Sequence, residues 1–283
     1  MQNSPILSPT LISSAIQYAL LVELAEAVPP DTTMYRSGDP IDIAYNGTNV
    51  SYTALTTFYG NDLATGVNPS RGQDIVSFGF VAQDAGGNVI VAVRGTEGIF
   101  EWVQDARFLL VPCPFVPGAG STEDGFTAVY TSLRVSPNPA SQTLVAVLPT
   151  LPYPKPVTSL TICGHSLGGA LVTQLALDVA ANTRLVNPGV YTYASPRTGD
   201  SAFVATYNHL VPNTHRFANR LDLVPKLPLP PLYDHVLGLY DLNPMLEVKF
   251  DIICQHRLTT YLFLLSRLGG GPDLPLNAEC APA

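Results

Sequence analysis

The chain has 283 residues, of which 46% are hydrophobic and only 13% are charged. This balance excludes a disordered chain, which would be richer in charge and poorer in apolar residues. The 14 lysines and arginines against 22 aspartates and glutamates give a net charge of −8, which argues against a nucleic-acid partner held by its phosphates. We predict one domain, spanning residues 1–283, that buries a large core.

The first apolar stretch, residues 11–28, predicts an amphipathic helix. The residues expected on its apolar face are Ile16, Leu20, Leu24 and Val28. A membrane span needs about 20 apolar residues, and Gln17, Glu23 and Glu26 interrupt this stretch. We therefore predict no integral membrane segment. The first basic residue is Arg36, so no standard secretory signal is expected either.

Strands and helices alternate along the rest of the chain, between loops rich in proline. The predicted strands are residues 75–83, 89–93, 157–163, 190–194 and 215–218. The predicted helices are residues 125–135, 167–181, 201–209 and 255–268. The turn at residues 84–88 predicts that the first two strands form a hairpin. This alternation indicates an α/β fold with a largely parallel central sheet flanked by helices.

A second hairpin is predicted near the end of the chain. Residues 236–241 form its first strand, and Asn243 and Pro244 form its turn. Apolar and polar residues alternate cleanly through residues 246–252, as on a strand with one buried face.

The four cysteines are too few for a disulfide scaffold, and their spacing resembles no zinc site. Cys163 lies in an apolar predicted strand and is expected to be a buried small hydrophobic residue. One disulfide among Cys113, Cys254 and Cys280 is possible, but the sequence does not select the pair. We predict no metal and no other cofactor.

The clearest chemical signal is a G-x-S-x-G pattern at residues 164–168. A predicted strand leads into it and a predicted helix leads out, so Ser166 would occupy a tight turn with its hydroxyl exposed. The flanking glycines allow the strand and the helix to approach closely. The N–H of Leu167 would lie at the helix N-terminus, where negative charge is stabilised. Ser166 is therefore the candidate nucleophile.

Several segments besides this turn make the chain resemble the fungal-type class 3 lipases, which have the α/β-hydrolase fold. Those segments are Arg94-Gly95-Thr96, Asp124-Gly125-Phe126 with Tyr130, Ser195-Pro196-Arg197-Thr198-Gly199-Asp200, and Asn219 to Pro225. They occur in the family's order over roughly residues 17 to 265. One departure is Glu123, because the family commonly has a histidine two residues before the glycine.

The resemblance implies an oxyanion hole made by the backbone N–H groups of Thr96 and Leu167, with the Thr96 hydroxyl as a third donor. It also implies a short lid helix after Thr96, although an ordinary packed helix is an alternative. The large apolar residues of the lid would be Ile99, Phe100, Trp102 and Val103. The apolar loops at residues 112–117 and 227–232 are expected to wall an acyl pocket. Arg94 is expected to form a structural ion pair.

A serine nucleophile needs an adjacent base, and the chain order of α/β-hydrolases puts the histidine last. His256 meets this condition, and it lies with Tyr261 in a segment that resembles the family's catalytic-histidine segment. His235 is the alternative, with a structural hydrogen bond as its other expected role. The histidines expected to pack, cap or lie at the surface are His165, His209 and His215.

The acid that orients the base is expected to be Asp222. It follows a predicted strand and precedes a proline-rich loop, at the carboxyl edge where ligand sites of α/β sheets collect. Three competitors have other expected roles. Asp200 would cap a helix, Asp234 would suit only His235, and Asp251 would be solvated on its strand.

The predicted function is a triacylglycerol lipase that hydrolyses lipid esters with Ser166, Asp222 and His256 through an acyl-enzyme. A carboxylesterase such as a feruloyl esterase, or a phospholipase A1, is the alternative on the same fold. A non-catalytic lipase-like protein would be expected to lack a triad residue. The expected partners are a lipid or ester substrate and, transiently, a lipid–water interface. The resemblance implies secretion, with the cytoplasm as the alternative.

Overall fold

The computed structural model describes residues 7–30, 32–61, 75–96, 108–244 and 246–282. Its strands are β1 (Pro40–Tyr45), β2 (Thr48–Asn61), β3 (Ile75–Asp84), β4 (Asn88–Val93), β5 (Leu110–Pro112), β6 (Ser121–Glu123), β7 (Ser159–His165), β8 (Gly189–Tyr193), β9 (Thr214–Asn219) and β10 (Leu239–Leu242). Eight of them form one sheet, in the order β1-β2-β3-β4-β7-β8-β9-β10. Neighbours are antiparallel from β1 to β4 and parallel from β4 to β10.

The helices are α1 (Pro9–Glu26), α2 (Asp124–Ser132), α3 (Leu144–Val147), α4 (Leu167–Asn182), α5 (Ser201–Leu210), α6 (Ile252–His256) and α7 (Leu258–Gly269). They cover both faces of the sheet, which explains why its central strands are apolar throughout. On β4, Val91 and Val93 pack under α2, α4 and α5, while Ile90 and Ala92 pack under α1 and α7. The α/β fold with a mostly parallel sheet is confirmed.

Helix α1 is present, but the predicted apolar face was only partly right. Its fully buried residues include Ile12, Ile16 and Val22, whereas Leu20 and Leu24 are only half-buried and Val28 follows the helix. The helix rests on both the sheet and α7, so its buried stripe is set by two neighbours that periodicity does not reveal. No described helix is long and apolar enough to cross a membrane.

The second predicted hairpin is wrong. Strand β10 pairs in parallel with β9, and residues 246–251 form no strand. The alternating residues there include Leu246 and Phe250, whose side chains are 89% and 86% exposed. Alternation alone does not make a strand, because a strand also needs a partner that accepts its backbone hydrogen bonds.

The chain instead turns into α6, which begins at Ile252 and is capped by Asp251. The Oδ1 atom of Asp251 accepts hydrogen bonds from the N–H groups of Ile253 and Cys254, both at 3.0 Å. The expectation of a solvated strand residue at Asp251 was therefore wrong. A disulfide joins Cys254 to Cys280, while Cys113 and Cys163 are free and buried. The burial of Cys163 is as expected.

Candidate active site

The turn after β7 holds Ser166 in a strained backbone conformation. Its φ of +57° lies in the left-handed region that residues other than glycine rarely adopt. The N–H of Ser166 donates to the carbonyl of Tyr193 on β8, at 2.9 Å. This hydrogen bond ties the strained turn to the neighbouring strand. The turn therefore has the geometry of a nucleophile elbow, with Leu167 as the first residue of α4.

The elbow glycines are required by close packing. A Cβ on Gly164 would lie 2.5 Å from the carbonyl oxygen of Gly168. A Cβ on Gly168 would lie 2.5 Å from the carbonyl oxygens of Val93 and Arg94. The start of α4 therefore touches the end of β4, which brings the segment holding Thr96 beside Leu167.

Three parallel strands deliver the candidate groups to one edge of the sheet. Ser166 follows β7 directly, Asp222 follows β9, and the segment from Arg94 to Thr96 follows β4. The carboxyl ends of parallel strands share an edge, so residues far apart in sequence meet there. His256, at the end of α6, lies at the same edge, within hydrogen-bond distance of Ser166.

The structure brings Ser166, His256 and Asp222 together in a continuous hydrogen-bonded line. The Nε2 atom of His256 lies 2.8 Å from the Oγ of Ser166, and its Nδ1 lies 2.9 Å from the Oδ2 of Asp222. All three residues are buried. The ionised carboxylate only accepts hydrogen bonds, so it fixes Nδ1 as the protonated nitrogen and leaves Nε2 free to accept the serine proton.

Two further donors hold Asp222, and sequence analysis missed the role of one of them. The N–H of Val224 donates to Oδ1 at 3.0 Å, and the hydroxyl of Tyr261 donates to Oδ2 at 2.8 Å. The same hydroxyl oxygen accepts from the N–H of Asn219 at 3.0 Å. Burial, and then the charge of Asp222, raise the pKa of Tyr261 well above its ordinary value of 10. Tyr261 is therefore a constant donor to the carboxylate.

Replacing Tyr261 with phenylalanine is expected to reduce kcat about tenfold and to destabilise the protein by about 1–3 kcal/mol, because a buried carboxylate loses a donor. The matched control is Tyr207→Phe on α5. It removes a buried hydroxyl that is hydrogen-bonded to the Thr214 hydroxyl at 3.0 Å. That variant should lose stability and keep its kcat. Ester-hydrolysis kinetics and urea unfolding measure both effects, and equal kcat values in the two variants would contradict this role for Tyr261.

His165 also departs from its expected role. Its ring does more than pack. Its Nδ1 lies 2.8 Å from Oε1 of Glu26, and its Nε2 lies 2.8 Å from the backbone carbonyl oxygen of His256. Periodicity could not reveal this contact, because Glu26 and His165 are 139 positions apart.

The other polar candidates, Arg94, His235 and Asp200, hydrogen-bond backbone groups. Arg94 hydrogen-bonds the carbonyl oxygens of Gly95 and Val28, at 3.0 and 3.4 Å; in the part of the chain described, it makes no ion pair. His235 donates from Nε2 to the carbonyl of Pro225 at 2.5 Å, and burial lowers its pKa well below 6.5. Asp200 caps α5 through the N–H of Phe203 at 2.8 Å, as expected.

The other histidines and acids considered from the sequence are also exposed or make structural hydrogen bonds. His209 is exposed at the end of α5, and His215 is half-buried at the start of β9. His215 hydrogen-bonds Tyr240 and Asn213, and neither histidine is hydrogen-bonded to Ser166 in the described part of the chain. Asp234 is exposed and accepts from the N–H of His235 at 2.7 Å. Glu123, at the family's usual histidine position, caps α2 by accepting from Phe126 N–H at 2.7 Å.

The two loops expected to wall a pocket differ in burial. Phe115 packs edge-on against Tyr130 with ring centroids 4.8 Å apart, so that part of the loop at residues 112–117 is attached to the core. In the second loop, Leu229 and Leu232 are 66% and 65% exposed. The predicted lid residues Ile99, Phe100, Trp102 and Val103 lie outside the described residues.

A cavity of about 440 Å³ lies beside the triad and is lined in part by Thr96, His165 and His256. Within the described ranges, no cluster of three histidine, cysteine, aspartate or glutamate side chains is arranged to hold a metal ion.

Comparisons with known proteins agree with this geometry. The sequence profile described as Lipase (class 3) matches residues 90–231. Phospholipase A1-II 3 of Oryza sativa subsp. indica is 34% identical over 221 residues, which cover 68% of this chain and 52% of the relative. Secreted mono- and diacylglycerol lipase A of Penicillium cyclopium is 32% identical over 164 residues, covering 57% of this chain and 50% of the relative.

The chain thus spans about half the length of these curated relatives. Among solved structures, Lip2 lipase from Yarrowia lipolytica is 20% identical with a TM-score of 0.62, and the match covers 87% of this chain and 84% of that one. That likeness concerns the fold. From the profile match, the chain belongs to the class 3 lipase family, and it has the α/β-hydrolase fold of these lipases.

Proposed function

We propose that this protein is a triacylglycerol lipase that cleaves the carboxylic esters of lipids with Ser166, His256 and Asp222. The observation that carries the proposal is the hydrogen-bonded line from Ser166 Oγ through the His256 ring to Asp222, with distances of 2.8 and 2.9 Å. Membership of the class 3 lipase family supports an ester as the substrate.

In the proposed reaction, Ser166 Oγ bonds to the ester carbonyl carbon while its proton passes to Nε2 of His256. The carbonyl oxygen becomes an oxyanion, held by the N–H groups of Thr96 and Leu167. His256 then returns the proton to the leaving alkoxide, which departs as an alcohol. A water molecule attacks the acyl-enzyme by the same steps, which releases the fatty acid and restores Ser166.

Two exposed apolar segments adjacent in sequence to Asp222 and His256 support a lipid surface as the partner. One follows Asp222 and exposes Leu223, Leu229 and Leu232; the other precedes His256 and exposes Phe250 and Ile253 among others. Exposed apolar side chains clustered in one place commonly mark a site that binds another apolar surface. Ile253 lines the same cavity as His256, so a lipid bound at the second segment would approach the candidate base.

Phospholipase A1 activity is the second candidate, and it is favoured by one observation. The relative at 34% identity is a plant protein named phospholipase A1-II 3. Such an enzyme would use the same triad and differ in accepting a phosphate head group. The carboxylesterase alternative shares the triad as well, and differs in acting on soluble esters.

We also propose that the protein works outside the cell. One relative is named a secreted lipase. The disulfide between Cys254 and Cys280 fits this location, because disulfides persist in oxidising compartments and are rare in the cytosol.

The test is hydrolysis of p-nitrophenyl esters with acyl chains from two to eighteen carbons, beside emulsified triolein and phosphatidylcholine vesicles. Long-chain esters and triolein should be cleaved, with the triolein rate rising sharply once the lipid exceeds its solubility. Cleavage of short soluble esters alone would indicate a carboxylesterase, and preferred release of the sn-1 chain from phosphatidylcholine would indicate a phospholipase A1. If none of these esters were cleaved, the proposal would be wrong.

A further inference from the structure

Glu26 of α1 and His165 of β7 form an ion pair directly behind the candidate base. The His165 side chain is 7% exposed, and its ring centroid lies 4.9 Å from that of His256. The mechanism proposed above uses neither residue. The Glu26 side chain is 27% exposed, so one member of the pair is buried and the other is half-buried. Removing such charges from water costs desolvation free energy.

The contacts of His165 determine its protonation. The two atoms facing its ring nitrogens are a carboxylate oxygen of Glu26 and the backbone carbonyl oxygen of His256, each at 2.8 Å. A carbonyl oxygen only accepts hydrogen bonds, and the Glu26 oxygen also accepts from the N–H of Gly95 at 3.1 Å. Nε2 therefore donates to the His256 carbonyl. The charge and hydrogen bond of Glu26 raise the pKa of His165, and His165 lowers the pKa of Glu26. These shifts favour the ionised pair, in which Nδ1 donates to the carboxylate and His165 is an imidazolium cation.

The pair connects the segment that holds the candidate base with the candidate oxyanion segment. Through His165 it holds the backbone of His256, and through Glu26 it holds Gly95, the residue before Thr96. The fit is tight, because a Cβ on Gly95 would lie 3.0 Å from Oε1 of Glu26 and 3.2 Å from Nδ1 of His165. A shift of about 1 Å in a reacting group can cost 100-fold in rate.

We propose that Glu26 and His165 form a positioning pair, in which doubly protonated His165 holds the His256 backbone and, with Glu26, aligns it with the oxyanion segment. Deprotonation of His165 then removes the donor to the His256 carbonyl, and ester hydrolysis declines at alkaline pH. The second statement rests on the proposed function; the protonation and the alignment do not.

Charged and titratable groups reach His165 from several elements. They are Glu26 and, behind it, Glu23 on α1, Arg94 after β4, Asp222 after β9, His256 on α6 and Tyr261 on α7. Burial alone would lower the pKa of His165, but the charge and hydrogen bond of Glu26 outweigh it, so this pKa is raised above 6.5. Burial likewise raises the pKa of Glu26, and His165 lowers it below 4.5.

The directions of these two pKa shifts determine how the stability of the protein depends on pH. Glu26 contributes stability above pH 4.5 that is lost as the pH falls through its folded pKa. His165 contributes stability that is complete below pH 6.5 and is lost as the pH rises through its folded pKa. The pair thus stabilises the protein most between pH 4.5 and 6.5, and its loss on the alkaline side coincides with the loss of the donor to His256.

The first experiment compares the pH profiles of kcat for the wild type, Glu26→Gln, His165→Gln and the double variant. Glu26→Gln removes the charge that raises the pKa of His165, so its alkaline decline should begin about one pH unit or more lower. The glutamine amide in His165→Gln reaches the His256 carbonyl and does not titrate. That variant should lose the decline attributed to His165 while keeping kcat at pH 7 within about tenfold.

The double variant protects the test against misfolding, because it leaves no isolated buried charge. The matched control is His215→Gln, which replaces a half-buried histidine at the opposite end of the parallel strands and should leave the profile unchanged. The positioning role would be overturned if kcat declined at the same alkaline pH in the wild type, Glu26→Gln and His165→Gln, with only the stability of the protein altered.

The second experiment does not need turnover. In ¹⁵N-labelled Ser166→Ala protein, the ring nitrogens of His165 should both remain protonated at pH 7, and His165→Asn should shift the proton signal between His256 and Asp222. A neutral His165 at pH 7, or an unmoved His256 signal, would overturn the inference. If the Ser166→Ala protein gives these signals while the wild type cleaves no ester, the proposed function is wrong and the positioning pair is supported.

Discussion

Replacing Ser166 with alanine is expected to lower ester hydrolysis by about 10⁴- to 10⁶-fold while leaving the protein folded. The reason is chemical: the Ser166 Oγ lies 2.8 Å from Nε2 of the candidate base, and alanine has no oxygen that could bond to the ester carbon. Turnover of a long-chain p-nitrophenyl ester and of emulsified triolein measures the loss. Thermal unfolding of the same samples checks that the fold is intact.

The matched control is Ser266→Ala on α7. That hydroxyl is also buried, donates to the carbonyl of Phe263 at 2.8 Å, and accepts from Leu274 N–H at 2.9 Å. Its removal should cost stability and spare kcat. Normal hydrolysis by Ser166→Ala would end the proposal that Ser166 is the nucleophile.

The backbone strain at Ser166 can be measured through the free energy of unfolding. Because Ser166 has a φ of +57°, a glycine there is free of the strain that a Cβ causes. Ser166→Gly is therefore expected to raise the free energy of unfolding by about 1 kcal/mol relative to Ser166→Ala, with both variants inactive. Urea unfolding of the pair measures this difference, and an unstrained turn would leave the two equally stable.

Replacing Asp222 with asparagine is expected to lower kcat by about 10⁴-fold with little change in shape. The amide would donate a hydrogen to Nδ1 of His256, which lies 2.9 Å away, and so select the other tautomer. Nε2 would then carry a hydrogen facing Ser166 and could not accept its proton. The measurement is kcat and KM over a pH series, with KM expected to change little.

Asp178→Asn is the control for this change. Asp178 is likewise buried and accepts hydrogen bonds from Tyr130 and Asn182, at 2.5 and 2.7 Å, but it lies on α4 away from the catalytic edge. It should lose stability and retain kcat. A loss of less than about tenfold in Asp222→Asn would assign the orienting role to another acid.

Much of the site was accessible to sequence reasoning because it depends on local chemistry. The G-x-S-x-G pattern between an apolar strand and a helix predicts an elbow, and its backbone follows from the requirement for glycine at positions 164, 168 and 169. Asp222 was predicted from its place after a strand and from the family resemblance. His256 was predicted from chain order and the same resemblance, and the strand expected before it does not form. Their roles, and those of Thr96 and Leu167 in the oxyanion hole, stay predictions until the variants above are measured, as does the single domain.

The errors share one physical cause. Residues 246–252 have the alternation of a strand, yet whether a strand forms there depends on a neighbour that supplies hydrogen bonds, and the edge strand β10 leaves that segment outside the sheet. The buried face of α1 was misjudged because α7 and the sheet both pack on it. Local periodicity carries no information about such neighbours.

The sequence by itself determined the fold class, the elbow around Ser166 and the identity of the three residues proposed for the chemistry. Strand and helix periods and glycine requirements are properties of short segments, and they indicated the fold class and the elbow. The choice of Asp222 and His256 also depended on the resemblance of their segments to the class 3 lipases. Only the tertiary structure decided what surrounds those residues. Tyr261 donating to Asp222, Glu26 reaching His165, and Cys254 joining Cys280 each link distant segments, and such pairings are decided by three-dimensional packing.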